Sequence, residues 1–336
     1  MEAVTQASAR IALWDNLKFI LILLVVIGHM ADEFAAESYI GMGIFFYIFL
    51  FHMPLFIFIA GLFHSDKNIL SKCVFYLSLG FFMKVVFFIV YRYTGRAAAF
   101  SVLSEYDIPW YAFAMAGFIF FTWLFRRGNK KFILIAGIVL ACFAGYDAAI
   151  GDFLIVSRMI VFMPCYMLGA VMDKERILQW KQKHRIPAVI VSIAILVCVF
   201  LACRYKLGFL YPRFRPLLSG RNPFPETILS YGALARLGCY VAAWAFGFAL
   251  IMLTPDRKVA LLTKMGGKTL NVFVWHWPVY VILERIFHFS QLAWRGIGGI
   301  VVFLLIGAGI TVFLSLDKGL YAILEKIRKC SFSFVR

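Results

Sequence analysis

The sequence predicts an all-α fold: a polytopic transmembrane helical bundle of about ten spans, with both termini cytoplasmic. Three observations predict it. Hydrophobic residues make up 63% of the 336-residue chain and charged residues only 15%. Apolar runs of roughly 18 residues or more, the length a helix needs to cross a bilayer, recur throughout. These runs are continuous, whereas barrel strands would alternate polar and apolar residues. Residues 1–336 read as one integral-membrane domain with no tandem repeat or soluble module, which implies a multi-pass protein of the cell (cytoplasmic) membrane.

The first span, near 17–36, follows Arg10, Asp15 and Lys18 and contains His29. It lacks a small-residue cleavage site and reads as a retained span. Lys18 and His29 lie eleven residues apart, about 16 Å along a helix. One rigid element therefore carries a cation at its entrance and an imidazole deep in the bilayer, where ionisable groups are costly. A histidine there also serves as a packing group hydrogen-bonded to a neighbouring helix. The second span, 41–63, contains FLFHMPLFIFIAGLF. Pro54 kinks it beside His52, and Gly61 permits close helix approach. The third, 72–91, contains Lys84, and the fourth, 109–125, opens on Trp110-Tyr111. The fifth and sixth, 131–148 and 156–172, flank a short stretch interrupted by Asp147 and Asp152. Arg158 opens the sixth, ahead of Pro164 and Gly169; an arginine at a span boundary can also simply snorkel.

The seventh span is 187–204. Residues 204–227 then carry five cations against one acid, and four prolines predict a loop with no long helix. This segment is either a solvated, aromatic-anchored loop or one whose Arg213 and Arg215 touch an anionic substrate. The eighth span, 228–252, holds Arg236. In the ninth, 269–288, His276 lies between Trp275 and Trp277 and before Pro278. The tenth is 297–316.

Lysine and arginine counts set the orientation. With the N-terminus inside, inner segments carry 22 and outer segments 9; Lys84, Arg158 and Arg236 lie within spans. The positive-inside rule favours this arrangement. It also accounts for the net charge of +17, whose cations are scattered in short loops suited to anionic membrane lipids, so a nucleic-acid partner is excluded. The seven cysteines show no CxxC spacing and read as small packing residues. No metal is expected. The chain has no phosphate-binding P-loop, no HExxH run and no GxSxG elbow. Histidines and cations within a bundle remain. They suit general-base catalysis on a substrate that brings its own activated group.

The motifs resemble those of the integral-membrane acyltransferase family three, and within it the fucose 4-O-acetylase-like branch. Asp15, Lys18, Gly28 and His29 occupy the places of a pattern in which an arginine is followed by Asp-x-x-Arg/Lys and an aliphatic run ending in histidine. FHMPLFIFIAGLF resembles a second signature, with Ala60 where serine is usual. Trp110-Tyr111, the Arg158–Pro164–Gly169 series and GGKTLNVFVWH are similar to later ones. The resemblance covers residues 10–280. It departs where many members carry an Arg-x-Arg pair entering the third span; here that region reads Lys67-NILS-Lys72-C.

The resemblance implies transfer of an acetyl group from cytoplasmic acetyl-CoA to a hydroxyl of a cell-envelope glycan or lipid-linked sugar precursor. His29 would be the catalytic base. Arg10, Lys18, Lys67 and Lys72, on the inner side, would meet the CoA phosphates. Asp15 lies about 21 Å of helix from His29, so it pairs with Arg10 or Lys18 instead of orienting the imidazole. His52, Arg158 and His276 are the candidates for that role. Two other classes share buried histidine and arginine: a transporter or flippase of an envelope precursor, and a non-catalytic domain sensing acyl-CoA or an amino acid. A transporter predicts inverted repeats, and the sequence has no convincing internal similarity.

Overall fold

The computed structural model describes residues 12–105 and 107–335, without the side chains of Ala202, Cys203, Lys206, Leu207, Gly208 and Leu210. Arg10 lies outside the described residues. Among these, every regular element is a helix, and the one pairing of extended chain is an isolated bridge between Ser104 and Phe153. In chain order the helices are α1 (Ala12–Ala35), α2 (Tyr39–Phe49), α3 (His52–Leu62), α4 (Ile69–Thr94), α5 (Trp110–Leu124) and α6 (Lys130–Phe143). There follow α7 (Val156–Val171), α8 (Lys174–Lys183), α9 (Arg185–Leu218), α10 (Gly232–Leu253), α11 (Ala260–Gly266), α12 (Thr269–Phe287), α13 (Gly296–Leu316) and α14 (Gly319–Phe334).

Each predicted apolar run falls on a helix, yet four helical runs are long and apolar enough to cross a membrane by length and composition. They are Tyr39–Leu62, Ile69–Thr94, Glu226–Leu253 and Gly296–Leu316. A fifth arises if Val156–Val171 and Lys174–Lys183, bent by 74°, form one span. The difference from ten has physical causes. α5 and α6, of 15 and 14 residues, reach only about 22 Å, short of a bilayer core of about 30 Å. α1 and α12 carry charged residues within their length, Asp15, Lys18, Asp32 and Glu33 on α1 and Glu284 and Arg285 on α12.

The segment 204–227 differs from expectation. α9 runs unbroken to Leu218 with Pro212 and Pro216 inside it. Prolines four residues apart lie above one another on one face, so the lost hydrogen bonds fall on a single stripe and the opposite face stays intact. Pro223 and Pro225 lie beyond the helix end, after Gly220 turns the chain at φ +70°. The cysteines also divide: Cys142 and Cys165 are buried, while Cys198 and Cys330 are exposed.

α3 and α7 cross with their backbones in close approach. A Cβ on Gly61 would collide with the Tyr166 carbonyl, and one on Gly169 with the Phe58 carbonyl and the Leu62 amide. The two glycines picked out by the motifs thus meet, backbone against backbone. α1 is clamped at its start. The Asn16 Nδ2 donates to the carbonyls of Pro255 and Arg257, at 2.9 and 3.0 Å, and its Oδ1 accepts from the Thr263 hydroxyl at 2.6 Å. Buried Arg236 donates to the Leu217 carbonyl at 2.7 Å and to the Asn222 Oδ1 at 3.0 Å, tying the end of α9 to α10. Large apolar side chains such as Ile297, Leu305 and Phe313 cover the outside of α13, a surface suited to lipid.

Candidate active site

A cavity of about 510 Å³ runs along α1, lined by Lys18, Ile22, Val25, His29 and Asp32. Their spacing of four, three, four and three places all five on one helical face. From Lys18 to Asp32 that face extends about 21 Å. The opposite walls come from α3 (His52, Phe56), α5 (Trp110, Tyr111), α7 (Arg158, Phe162), the end of α9 (Arg215, Ser219) with Arg221, and α12 (Thr269, Phe273).

His29 stands at the waist, partly exposed to the cavity, and neither ring nitrogen has a hydrogen-bond partner among the described residues. Aromatic rings hold it instead. Its centroid lies 5.6 Å from that of Phe49, edge to face, 5.6 Å from that of His276 and 6.0 Å from that of Trp277. His52 and His276 solve their own hydrogen bonding identically. The His52 Nδ1–H donates to the Ile48 carbonyl at 2.9 Å, and the His276 Nδ1–H to the carbonyls of Val272 and Phe273 at 2.9 and 3.0 Å. A carbonyl only accepts, so Nδ1 carries the hydrogen in both rings and Nε2 is left free. The His276 Nε2 is buried without a partner. Both histidines sit in a His-x-Pro triplet, His52-Met53-Pro54 and His276-Trp277-Pro278.

At the Lys18 end, the Lys18 Nζ pairs with the buried Asp15 carboxylate at 2.9 Å. Phe63 lines this mouth, with the Trp14 ring edge-on at 6.4 Å and the Lys174 Nζ 5.0 Å over its centroid. Lys67 and Lys72 do not line the cavity. The Lys72 Nζ donates to the Ser65 carbonyl at 2.7 Å, while Lys67 is exposed to solvent on the same loop. The predicted donor set is therefore divided. The loop is folded back on itself by Asn68 at φ 54° and by His64. The His64 imidazole bonds Asp66 at 3.1 Å and the Tyr166 hydroxyl at 2.9 Å. Burial holds it below the ordinary histidine range, against the upward pull of Asp66.

At the other end, Asp32 lies one turn beyond His29 on the same face. The Arg215 Nη2 donates to both its carboxylate oxygens, at 3.0 and 2.9 Å. Arg158, almost fully buried, stacks 5.0 Å over Trp110, and Arg221 pairs with Asp152 at 3.6 Å. Arg213 does not reach the cavity. It folds back along α9, donating to the Phe209 carbonyl at 2.9 Å with its guanidinium 3.9 Å over the Phe209 ring. Two positions along a helix point to different faces, which is why only one of the two arginines arrives.

The sequence reading missed Asp32, Asp107 and Arg221, all on the cavity wall. Asp32, three residues after His29, was the detectable one. It also missed the support for Trp277. The Trp277 Nε1–H donates to the Tyr91 hydroxyl at 2.7 Å, and the Tyr91 O–H donates to Asp107. Arg96 lies 5.5 Å over the Trp277 ring while pairing with Glu33 at 2.8 Å. These contacts brace the wall against which His29 rests.

A family model described as an acyltransferase domain, acyltransferase family three, matches residues 11–316. The chain belongs to this family, and with its apolar helices it is a membrane acyltransferase. No curated protein and no solved structure matches it.

Proposed function

We propose that this acyltransferase moves an acetyl group from cytoplasmic acetyl-CoA to a hydroxyl of a cell-envelope glycan or lipid-linked sugar precursor, as in the fucose 4-O-acetylase-like branch its motifs resemble. One observation carries the reading: a single cavity joins Lys18 to Asp32 and Arg215, with a free imidazole between them. The combined lysine and arginine count favours a cytoplasmic Lys18 end. The CoA phosphates dock there on Lys18, with Arg10 as a further cation. The acyl arm extends past Ile22 and Val25 and brings the thioester to His29. The acceptor enters from the Asp32 end, its anionic part near Arg158, Arg215 and Arg221.

His29 takes the proton of the acceptor hydroxyl as that oxygen attacks the thioester carbonyl. The tetrahedral adduct collapses, the C–S bond breaks, and the CoA thiolate leaves. The imidazolium returns its proton to that sulfur, so no net proton is consumed. His276 is a positioning residue: its Nδ1–H is committed to its own helix, so its Nε2 can only accept, which favours an N–H on the near side of His29. The family match weighs against the transporter and sensor readings.

The test is to incubate purified protein in lipid nanodiscs with acetyl-labelled acetyl-CoA and envelope extract. Ester-linked label in the glycan fraction is expected, removable by mild base. Transport of unmodified precursor with no labelled glycan would overturn the reading.

A further inference from the structure

A second cavity, of about 430 Å³, lies on the flank of the bundle between α4 and α5. Cys73, Leu77, Phe81 and Lys84 line it at intervals of four, four and three residues. That is one face of α4, about 16 Å long. Leu77, Phe81, Phe120 and Phe121 remain about two-fifths exposed, so the cavity is an apolar trench open to surrounding lipid. Two loops roof the end nearest Lys84. The Leu154 amide donates to the Leu103 carbonyl at 2.6 Å, and Ser104 bridges Phe153. Lys84 is committed to this roof: its Nζ lies 3.1 Å from the Glu105 carboxylate and donates to the Ser104 carbonyl at 2.8 Å. With its one cation neutralised, the trench suits hydrocarbon, and a polar group attached to that hydrocarbon is better placed outside it, beside the arginines beyond the roof.

On the far side of this roof lies the main cavity, with Arg221 held there by Asp152, because the two spaces back onto the same segments. On α7 and at the residue just before it, Ile155 and Met159 line the trench while Arg158 and Phe162 line the main cavity. In the segment before α5, Ser104 and Glu105 line the trench while Asp107 and Ile108 line the cavity. A site with three arginines, two of them paired with Asp32 and Asp152, thus backs onto a slot for a single apolar chain.

We infer that the trench holds the hydrocarbon chain of a lipid-anchored acceptor, a sugar linked through phosphate to one isoprenoid chain, whose phosphate lies among Arg158, Arg215 and Arg221. The inference rests on the transferase reading and narrows its acceptor from a free glycan to a chain-anchored one. A trench one helix face wide takes one chain. A two-chain phospholipid would leave its second chain outside.

The experiment uses the full chain in phosphatidylcholine nanodiscs, with a polyprenyl phosphate carrying a diazirine on the part of its chain nearest the phosphate. Photolabelling is expected in peptides covering 73–84 and 113–121. Unlabelled polyprenyl phosphate should displace it, and phosphatidic acid or inorganic phosphate should not. Leu77→Trp, at a half-exposed position, should cut labelling about tenfold, as should the milder filling variant Ala116→Leu in direction; Ile297→Trp on the lipid face of α13 should leave it unchanged. Equal labelling of α13, unchanged labelling in both trench variants, or equal competition by phosphatidic acid would overturn the inference. Acetyl transfer from acetyl-CoA to a chainless sugar acceptor is measured in the same preparations. Trench labelling without any transfer would sink the transferase reading and leave the trench a lipid site. Transfer with no change in the trench variants' KM for a prenyl-linked acceptor would sink the trench alone.

Discussion

The two ends of the main cavity are built alike and behave differently. Each has an acid–base pair anchored on the same face of α1: Asp15 with Lys18 at one end, Asp32 with Arg215 at the other. The first pair is local, three residues apart on one helix, so it forms and breaks by side-chain rotation alone and the backbone beneath it stays fixed. The second joins residues 183 apart in sequence, on α1 and the proline-bearing end of α9, so relative motion of two helices opens it. The difference suits the two proposed substrates. An invariant CoA donor needs only a fixed dock, whereas an envelope acceptor of variable bulk needs a mouth that yields.

The largest expected effect lies between the ends. His29→Ala should lower transfer by about 10²–10⁴-fold with either substrate saturating, while insertion and thermal melting stay unchanged. Near-normal acetylation by the folded variant would remove His29 from the mechanism and the comparison with it. Arg215→Ala should raise KM for the acceptor by about tenfold or more and leave KM for acetyl-CoA untouched, since it deletes a charge-assisted contact at one end only. An equal change in both constants would show that the two ends are not separate sites.

Lys18→Ala should do the converse, raising KM for acetyl-CoA by about tenfold, with Lys18→Arg milder because a guanidinium still pairs with phosphate and with Asp15. Arg213→Ala should change either KM by less than about twofold, the expectation for a surface substitution away from the site. A large effect would mean that α9 rotates during turnover. The smallest effect concerns pH and belongs to the Lys18 end. Burial depresses the folded-state pKa of His64, so the unfolded chain binds the proton first as pH falls. The stability His64 allows is complete above about pH 6.5 and is lost progressively below it. Melting temperatures measured across this window should fall with acidification, and His64→Gln should flatten the slope. An unchanged slope would remove His64 as its origin.

What the sequence revealed depended on whether periodicity was available. Lys18 and His29 were legible because α1 is one uninterrupted helix, and the same spacing argument kept Asp15 away from the imidazole. Read as helix, that stretch also gives Asp32. His52 and His276 stood out as isolated polar residues in apolar runs, but their shared tautomer follows from the position of a carbonyl one turn earlier, which appears only in three dimensions. Arg213 and Arg215 were indistinguishable while their segment was read as a proline-broken loop; on a helix, two residues apart means different faces. Lys67 and Lys72 were placed by charge alone; the loop carries Lys67 into solvent, and the first turn of α4 aims Lys72 at the Ser65 carbonyl. The ten apolar runs were real helices, but composition cannot tell a helix that faces lipid from one that faces a polar cavity.

The meeting of Gly61 with Gly169 has a mechanical consequence. Interlocked main chains cannot slide past each other without breaking contact along the whole crossing, so α3 and α7 act as a welded frame. His52 and Arg158 ride on that frame, so their separation is expected to change least when substrates bind. Articulation must then come from elements outside it, with the far tip of α9 as the lever. A stiffness map of the molecule, by hydrogen exchange for instance, should show its slowest amides on either side of those two glycines.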